Sequence, residues 1–149
     1  MWIILTAIVA WLFTAAGNIS DYLEAKLLDH SLGKTSYTMP TTYVALFTTD
    51  PGEANDQTAE VPAARGYARQ ALTIDAASVG AGTTQNDGAL VFGPCTGTGW
   101  GLVAYVAVVD DPAIGGGDVL WYGQLAVPKT VGVGDTLTIA DAALTFALA

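Results

Sequence analysis

Charged side chains are scarce in this chain. They make up 13% of its 149 residues, about half the usual share of a soluble domain. Apolar residues make up 52%, and the acidic excess gives a formal net charge of −9. Only five residues are Lys or Arg, too few for the basic surface that nucleic acid binding requires. So apolar and so weakly charged a chain predicts extensive burial against other subunits.

Cysteine and histidine are nearly absent as well. The single Cys95 cannot form an internal disulfide, and no neighbouring base marks it as a nucleophile. His30, the only histidine, follows Asp29 directly, and adjacent residues of a helix point in different directions. The chain also lacks the Gly-x-Ser-x-Gly motif of serine hydrolases. We therefore predict a non-enzymatic protein that needs no cofactor.

Two loops are rich in acidic residues. Their carboxylates are Asp50, Glu53 and Asp56 in the first loop and Asp110, Asp111 and Asp118 in the second. Calcium loops of the EF-hand type alternate their oxygen ligands at fixed positions, and neither loop follows that spacing. Solvated turns are therefore the favoured interpretation, and no metal site is predicted.

The N-terminal residues 2–17 contain no charged side chain. They are fewer than the roughly 20 residues that a membrane-spanning helix needs, and no basic residue precedes them as in a signal peptide. We expect residues 1–17 to be a buried assembly segment, with Trp2, Trp11 and Phe13 in contact with other subunits. Membrane insertion or secretion is the alternative, and helix and strand both remain open.

Residues 18–33 have the pattern of one amphipathic α-helix. Asn18 or Ser20 can cap its start, and Gly33 can end it in a left-handed conformation. Apolar residues at three- and four-residue spacing, among them Leu23 and Leu27, form one stripe. We expect that stripe to lie against the sheet or a neighbouring subunit, which makes Leu23 and Leu27 interface candidates.

The rest of the chain reads as short strands between turn residues. Residues 100–109 form an unbroken Val-rich run, typical of a strand buried on both faces, and residues 119–125 return as its hairpin partner. The other predicted strands are residues 43–49, 66–74, 89–92, 136–139 and 144–148. This pattern predicts a mainly β protein in which residues 18–149 form a single antiparallel β-sandwich or jelly-roll-like domain.

Two groups of side chains are candidates for binding. On the strand predicted over residues 66–74, alternation would bring Arg65, Tyr67 and Arg69 to one face. Arg and Tyr are enriched at protein interfaces, so this face is either a docking patch or an ordinary exposed strand face. Trp100, Trp121 and Tyr122 could line a groove for sugars, although packing in the core of a sandwich is the favoured interpretation.

Six short stretches, in this order and spacing, carry a family likeness. They are N-I-S-D-Y-L-E-A-K-L-L-D-H (residues 18–30), P-T-T-Y-V-A-L-F-T-T-D-P (40–51), G-Y-A-R-Q-A (66–71), F-G-P-C-T-G-T-G-W-G (92–101), V-L-W-Y-G-Q-L (119–125) and V-G-V-G-D-T-L-T-I (131–139). In these stretches the chain resembles a family of small tailed-phage virion proteins, described as tail fibre proteins and as capsid decoration proteins. The family has no catalytic motif to transfer, so the resemblance implies no catalytic residues.

The resemblance implies a structural protein of a tailed-phage virion. Within that class, the small size, single β domain and apolar N-terminus favour a capsid decoration (cement) protein on the capsid surface. A fibre more often adds a repetitive or coiled-coil shaft. We expect a homo-oligomer, a trimer, that binds the major capsid protein and neither nucleic acid nor a membrane. The alternative is a tail fibre or receptor-binding component, whose partners would be tail proteins or a host surface glycan.

Overall fold

A computed structural model describes residues 6–9 and 18–148, which form a mainly β protein with one α-helix. The elements in chain order are β1 (Thr6–Val9), α1 (Asp21–Ser31), β2 (Tyr43–Phe47), a 3₁₀ helix (Ala63–Arg65), β3 (Gln70–Ala71), β4 (Thr83–Gln85), β5 (Leu90–Phe92), β6 (Gly101–Val109), β7 (Val119–Val131), β8 (Thr136–Ile139) and β9 (Thr145–Ala147). In the part of the chain so described, no helix is both long and apolar enough to cross a membrane.

The central sheet has four antiparallel strands in the order β3-β2-β6-β7. Its faces are both buried: along β2, Val44 and Leu46 enter one hydrophobic cluster, whereas Ala45 and Phe47 enter another on the opposite face. Alternate residues of a strand point to opposite faces, so this double burial requires the continuous apolar runs that the sequence shows. The predicted long hairpin is confirmed as β6 and β7.

A second sheet, in the order β1-β8-β5, faces the central one. Leu90 and Phe92 of β5 and Leu137 and Ile139 of β8 alternate into the core between the sheets. The predicted sandwich-like architecture is confirmed. One pairing differs from the all-antiparallel expectation, because β1 runs parallel to β8. Residues 6–9 of the N-terminal stretch, for which helix and strand were both open, are a strand.

The predicted helix forms as α1 and is fixed at its first turn. Ser20 is the N-cap: its hydroxyl accepts a hydrogen bond from the Leu23 amide at 3.2 Å and donates to the carbonyl oxygen of Val119. The Ser20 amide also donates to the carbonyl oxygen of Leu120 at 3.0 Å. Ser20 is fully buried, so one side chain both caps α1 and attaches it to β7.

The strand predicted over residues 66–74 is wrong. Arg65 ends the 3₁₀ helix, and Gly66 has φ +72°, in the left-handed region that interrupts an extended chain. A Cβ at Gly66 would lie 2.6 Å from the carbonyl oxygen of Pro94, so only glycine fits this turn. The strand is therefore shortened to β3. In contrast β4, which pairs with β9 in a two-stranded sheet, lies between residues 75 and 88, where no strand is predicted from the sequence.

Candidate functional site

An apolar groove of about 230 Å³ lies between α1 and the strands beside it. Residues of α1, β4, β6, β7 and β9 form its walls, together with residues that lie next to β2, β3 and β9 in the chain. The lining residues are Leu23, Leu27, Met39, Thr42, Leu72, Ile74, Thr84, Val108, Leu120, Trp121, Phe146 and Leu148. The rings of Trp121 and Phe146 meet edge to face with centroids 5.7 Å apart, a favourable aromatic geometry that fixes one wall.

The helix forms a wall of this groove because only its first turns pack tightly. Leu23 is buried against Val108 and Leu120, as the apolar stripe predicted. Leu27, one turn later, is partly buried and lines the groove. The structure thus brings the two helix candidates, Leu23 and Leu27, to one surface.

Exposed apolar side chains gather around this groove. Among the described residues, three of the ten large, well-exposed apolar side chains line it: Met39, Ile74 and Leu148. Contiguous exposed apolar surface of this kind marks interaction sites in folded proteins. Sequence reasoning did not find Met39, Ile74 or Leu148, because they are far apart in the chain and belong to no shared pattern.

The groove offers little hydrogen bonding. Among the described lining residues, Thr42 and Thr84 have polar side chains apart from the indole of Trp121, and none carries a charge. Burying an unpaired polar group costs free energy, whereas covering apolar surface is favourable. The chemistry of the groove therefore favours an apolar protein surface over a polar small molecule.

The structure does not form the predicted common face of Arg65, Tyr67 and Arg69. Arg65 lies on the 3₁₀ helix, where its Nη1 donates to the carbonyl oxygen of Gly99 at 2.9 Å. Tyr67 and Arg69 are buried inside the fold, so neither is an exposed docking residue of the single chain. The exposed strand face is thus corrected to an internal polar network.

Arg69 is the centre of this network. Its guanidinium and the Glu60 carboxylate form a bidentate pair, with Nη2–Oε2 2.7 Å and Nε–Oε1 2.8 Å. The remaining donors reach the carbonyl oxygens of Asp111 and Gly116 at 2.7 and 2.9 Å and the side chain of Gln57 at 2.6 Å. All five donors of the guanidinium are thereby used, and two separate loops are tied to β3.

Tyr67 joins the same network at a second point. Its hydroxyl donates to Oε1 of Glu60 at 3.0 Å and accepts from the Leu46 amide at 2.9 Å. Burial raises the pKa of Tyr67, and the nearby Glu60 carboxylate adds to the increase. The hydroxyl is therefore held protonated as a structural hydrogen-bond donor inside the sandwich.

The two acidic loops lie side by side, which the sequence did not predict. Asn55 of the first loop donates to the Gly117 carbonyl oxygen at 3.2 Å and to the Asp118 carboxylate at 3.3 Å. Carboxylates of both loops accept from nearby backbone amides: Asp50 from Gly52, and Asp110 from Asp118. This geometry is typical of turns. Within the described residues, no group of three or more His, Cys, Asp or Glu is placed to hold a metal ion.

A small cluster of titratable groups lies where α1 faces the second acidic loop. Burial, and then the neighbouring carboxylate of Asp110, raises the pKa of Asp118, while Lys26 partly opposes this. Burial also raises the pKa of Tyr22 and of Tyr37. Lys26 lies over the ring of Tyr22, 5.2 Å from its centroid. The contact of Lys26 with the Tyr22 ring is favourable, whereas burial of Asp118 beside Asp110 disfavours its charged form.

The aromatic candidates separate into core and groove residues. Trp100 and Tyr122 are buried, and the Trp100 Nε1 donates to the Arg65 carbonyl oxygen at 2.7 Å. Trp121 is partly exposed in the groove. His30 is exposed on α1 and accepts a hydrogen bond from the Tyr37 amide at 3.1 Å. The candidates Trp2, Trp11 and Phe13 lie outside the described residues.

A family model described as "Podophage GP4 fiber I protein gp80" matches residues 18–147. The chain belongs to this family. The match begins just before α1 and ends with β9, so it contains the helix and every described strand except β1. No curated protein matches the chain.

Membership of the gp80 family confirms the resemblance to tailed-phage virion proteins. The protein is a structural virion component, since the family is described as a fibre protein of podophages. All groove residues except Leu148 lie within the matched region. The groove of this chain therefore lies almost entirely within the part that matches the family.

Proposed function

We propose that this gp80-family protein is a component of a fibre on a tailed-phage virion and that its role is structural and non-enzymatic. The observation that carries the proposal is the match of residues 18–147 to a family described as a fibre protein. The sequence alone favoured capsid decoration. The fibre description of the family supports the alternative, a tail fibre component, which is the location that we propose.

The fold supports a structural role through its rigidity. Arg69 holds Asp111 and Gly116 of the β6–β7 loop and Gln57 of the loop after β2. Loops are ordinarily the mobile parts of a domain, and buried, fully satisfied polar networks make them rigid. A module of this kind keeps its shape while other proteins bind to it.

The proposed partners are further copies of this chain, in a homotrimer, and other tail proteins. Residues 1–17, with Trp2, Trp11 and Phe13, are proposed as a segment that contacts these partners. This segment precedes the residues that match the family, and its lack of charge suits burial in a protein interface. Binding to the major capsid protein at the capsid surface is the competing location.

Binding of a host glycan receives less support than binding of protein. Two of the three aromatic candidates, Trp100 and Tyr122, are buried in the core. Trp121 lies in a groove where, among the described residues, the other polar side chains are two threonines. Sugar hydroxyls need hydrogen-bond partners to replace water, so the groove suits protein assembly better.

Fractionation of phage particles tests the proposal. Purified virions would be dissociated into heads and tails, separated on a gradient and probed with an antibody to this protein, with the major capsid protein and a tail protein as markers. We expect the protein with the tail and fibre fraction. Cofractionation with heads alone would replace the fibre by capsid decoration, and absence from purified virions would contradict both.

A further inference from the structure

We infer that His30 and residues 36–41 form a pH-sensitive latch beside the groove, closed while His30 is neutral and released when His30 is protonated. We call residues 36–41 the latch segment. This segment lies between α1 and β2 in the chain and contains Met39, which lines the groove. The latch is a property of the folded chain that goes beyond the proposed fibre role and does not depend on it.

The first support is the hydrogen bond that joins the latch segment to the helix. The Tyr37 amide donates to Nδ1 of His30 at 3.1 Å. Among the described residues, no other hydrogen bond involves residues 36–41, and the neighbouring ones along the chain involve Thr35 and Thr42. The imidazole of His30 is therefore the polar anchor of this segment.

The chemistry of the anchor depends on the protonation of the ring. An imidazole nitrogen accepts a hydrogen bond only while it carries no proton, so the neutral ring of His30 must carry its hydrogen on Nε2. Protonation adds a hydrogen at Nδ1, and two donors then face each other. Histidine is the side chain that ordinarily changes its charge between about pH 8 and pH 5, and His30 is the only histidine in the chain. Mild acid therefore breaks the anchor.

The second support is that the closed arrangement has an unfavourable feature. The Tyr37 side chain packs against the buried cluster of Leu23, Val108 and Leu120, and its hydroxyl is buried without a hydrogen-bond partner among the described residues. An unpaired buried hydroxyl costs free energy, and release of the latch segment would return it to water. Ring packing and the anchor together offset this cost, so loss of the anchor shifts the balance toward release.

The charged groups near the latch come from two parts of the fold. They are Lys26, Asp29 and Lys34 on α1 and just after it, and Asp110 and Asp118 in the β6–β7 loop. Among the described residues, no carboxylate forms an ion pair with His30. Burial raises the pKa of Tyr37, and Tyr22 and the two loop aspartates add to the increase. Burial and then Asp110 also raise the pKa of Asp118, so the test must separate Asp118 from His30.

The test is nuclear magnetic resonance of the isotope-labelled full-length chain between about pH 8 and pH 5. Three groups are followed: the imidazole nitrogens of His30, the amide of Tyr37 and the methyl group of Met39. Hydrogen exchange of the Tyr37 amide is expressed relative to an unstructured chain at the same pH. The chain has two methionines, so Met39→Leu identifies the Met39 signal.

Two variants fix the latch in opposite states. His30→Asn can place its side-chain oxygen near the position of Nδ1 and does not titrate, so the latch should stay closed at every pH. His30→Phe keeps a ring without an acceptor, so the latch segment should be released at every pH. His30 is exposed, and both variants are therefore expected to fold, which the amide spectrum verifies.

In the unmodified chain at about pH 8, we expect an Nδ1 without a proton. The signals of Tyr37 and Met39 should change with the same midpoint as the imidazole. Exchange of the Tyr37 amide should become about fivefold faster on protonation, which is the effect of losing one typical hydrogen bond. The Asn variant should show none of these changes, and the Phe variant should exchange rapidly throughout.

A hydrogen on Nδ1 of the neutral ring would overturn the inference, as would a Tyr37 amide whose exchange does not respond to the titration of His30. A response that persists in the Asn variant would assign the pH dependence to Asp118 and overturn it as well. A constant Met39 signal would contradict the link to the groove. These results are independent of the fractionation of virions, so loss of the latch would leave the fibre role standing.

Discussion

Arg69 and Glu60 form a buried two-point ion pair, with Nη2–Oε2 2.7 Å and Nε–Oε1 2.8 Å. Both side chains are almost completely removed from solvent. A buried ion pair is a weak source of net stability, but the loss of one partner leaves an uncompensated charge in the interior. Loss of both partners together should therefore destabilise the protein by less than the sum of the two single losses.

Arg69→Ala should lower the free energy of unfolding by about 3–5 kcal/mol. The change isolates the Glu60 carboxylate and releases the hydrogen bonds to Asp111, Gly116 and Gln57. Urea unfolding followed by circular dichroism measures the loss. The control is Arg65→Ala, which removes the hydrogen bond of the side chain to the Gly99 carbonyl oxygen and should lower the free energy of unfolding by about 1 kcal/mol.

The double variant Glu60→Ala/Arg69→Ala should lose less free energy of unfolding than the two single variants together. Equal losses for the two arginine variants would contradict the central role of Arg69.

Asp118→Asn should stabilise the protein at neutral pH by less than about 1 kcal/mol, because the site is only partly shielded from solvent. Burial and Asp110 raise the folded-state pKa of Asp118 above the unfolded value of 3.8. Stability from protonated Asp118 is therefore present below 3.8 and is lost as pH rises through the folded pKa. The advantage of the variant should vanish in acid. Thermal unfolding across this pH range measures it, with Asp56→Asn as the control, since hydrogen bonds from Thr58 lower the Asp56 pKa. An advantage that grows in acid would refute the assignment.

Ser20→Ala should destabilise the protein by about 1–2 kcal/mol. The variant leaves the Leu23 amide without its cap and the Val119 carbonyl oxygen without its donor, so the wall of the groove that α1 provides is weakened. Denaturant unfolding gives the magnitude. Ser31→Ala, at the exposed end of the same helix, is the matched control and should change stability by less than about 0.5 kcal/mol. A Ser20 variant as stable as that control would show that the cap does not hold α1.

Much of the fold could be predicted from local pattern. The Val-rich run of residues 100–109 and its return strand are clear because both faces of β6 are buried and no polar residue interrupts them. The boundaries of β8, Thr136–Ile139, also agree with the prediction, because its threonines alternate with the buried Leu137 and Ile139, the pattern of a half-buried strand. Short strands were harder: the small, exposed residues around β4 resemble a loop, and their strand conformation depends on pairing with the distant β9.

The candidate site shows where local pattern fails. Alternation placed Arg65, Tyr67 and Arg69 on one face, but the left-handed φ of Gly66 breaks that alternation. The glycine at position 66 was the one sign in the sequence that the predicted strand could be interrupted there. The burial of Arg69 depends on Glu60, and no periodicity links these two residues. The groove unites Leu27, Met39, Ile74 and Leu148 from separate elements, so it becomes visible only once the chain is folded.

Electron microscopy of intact virions labelled with Fab fragments against this protein tests the central claim most directly. The match of residues 18–147 to a podophage fibre protein leads us to predict Fab density along fibres that extend from the particle, with none over the faces of the head. Fab density distributed over the head, with unlabelled fibres, would contradict the account.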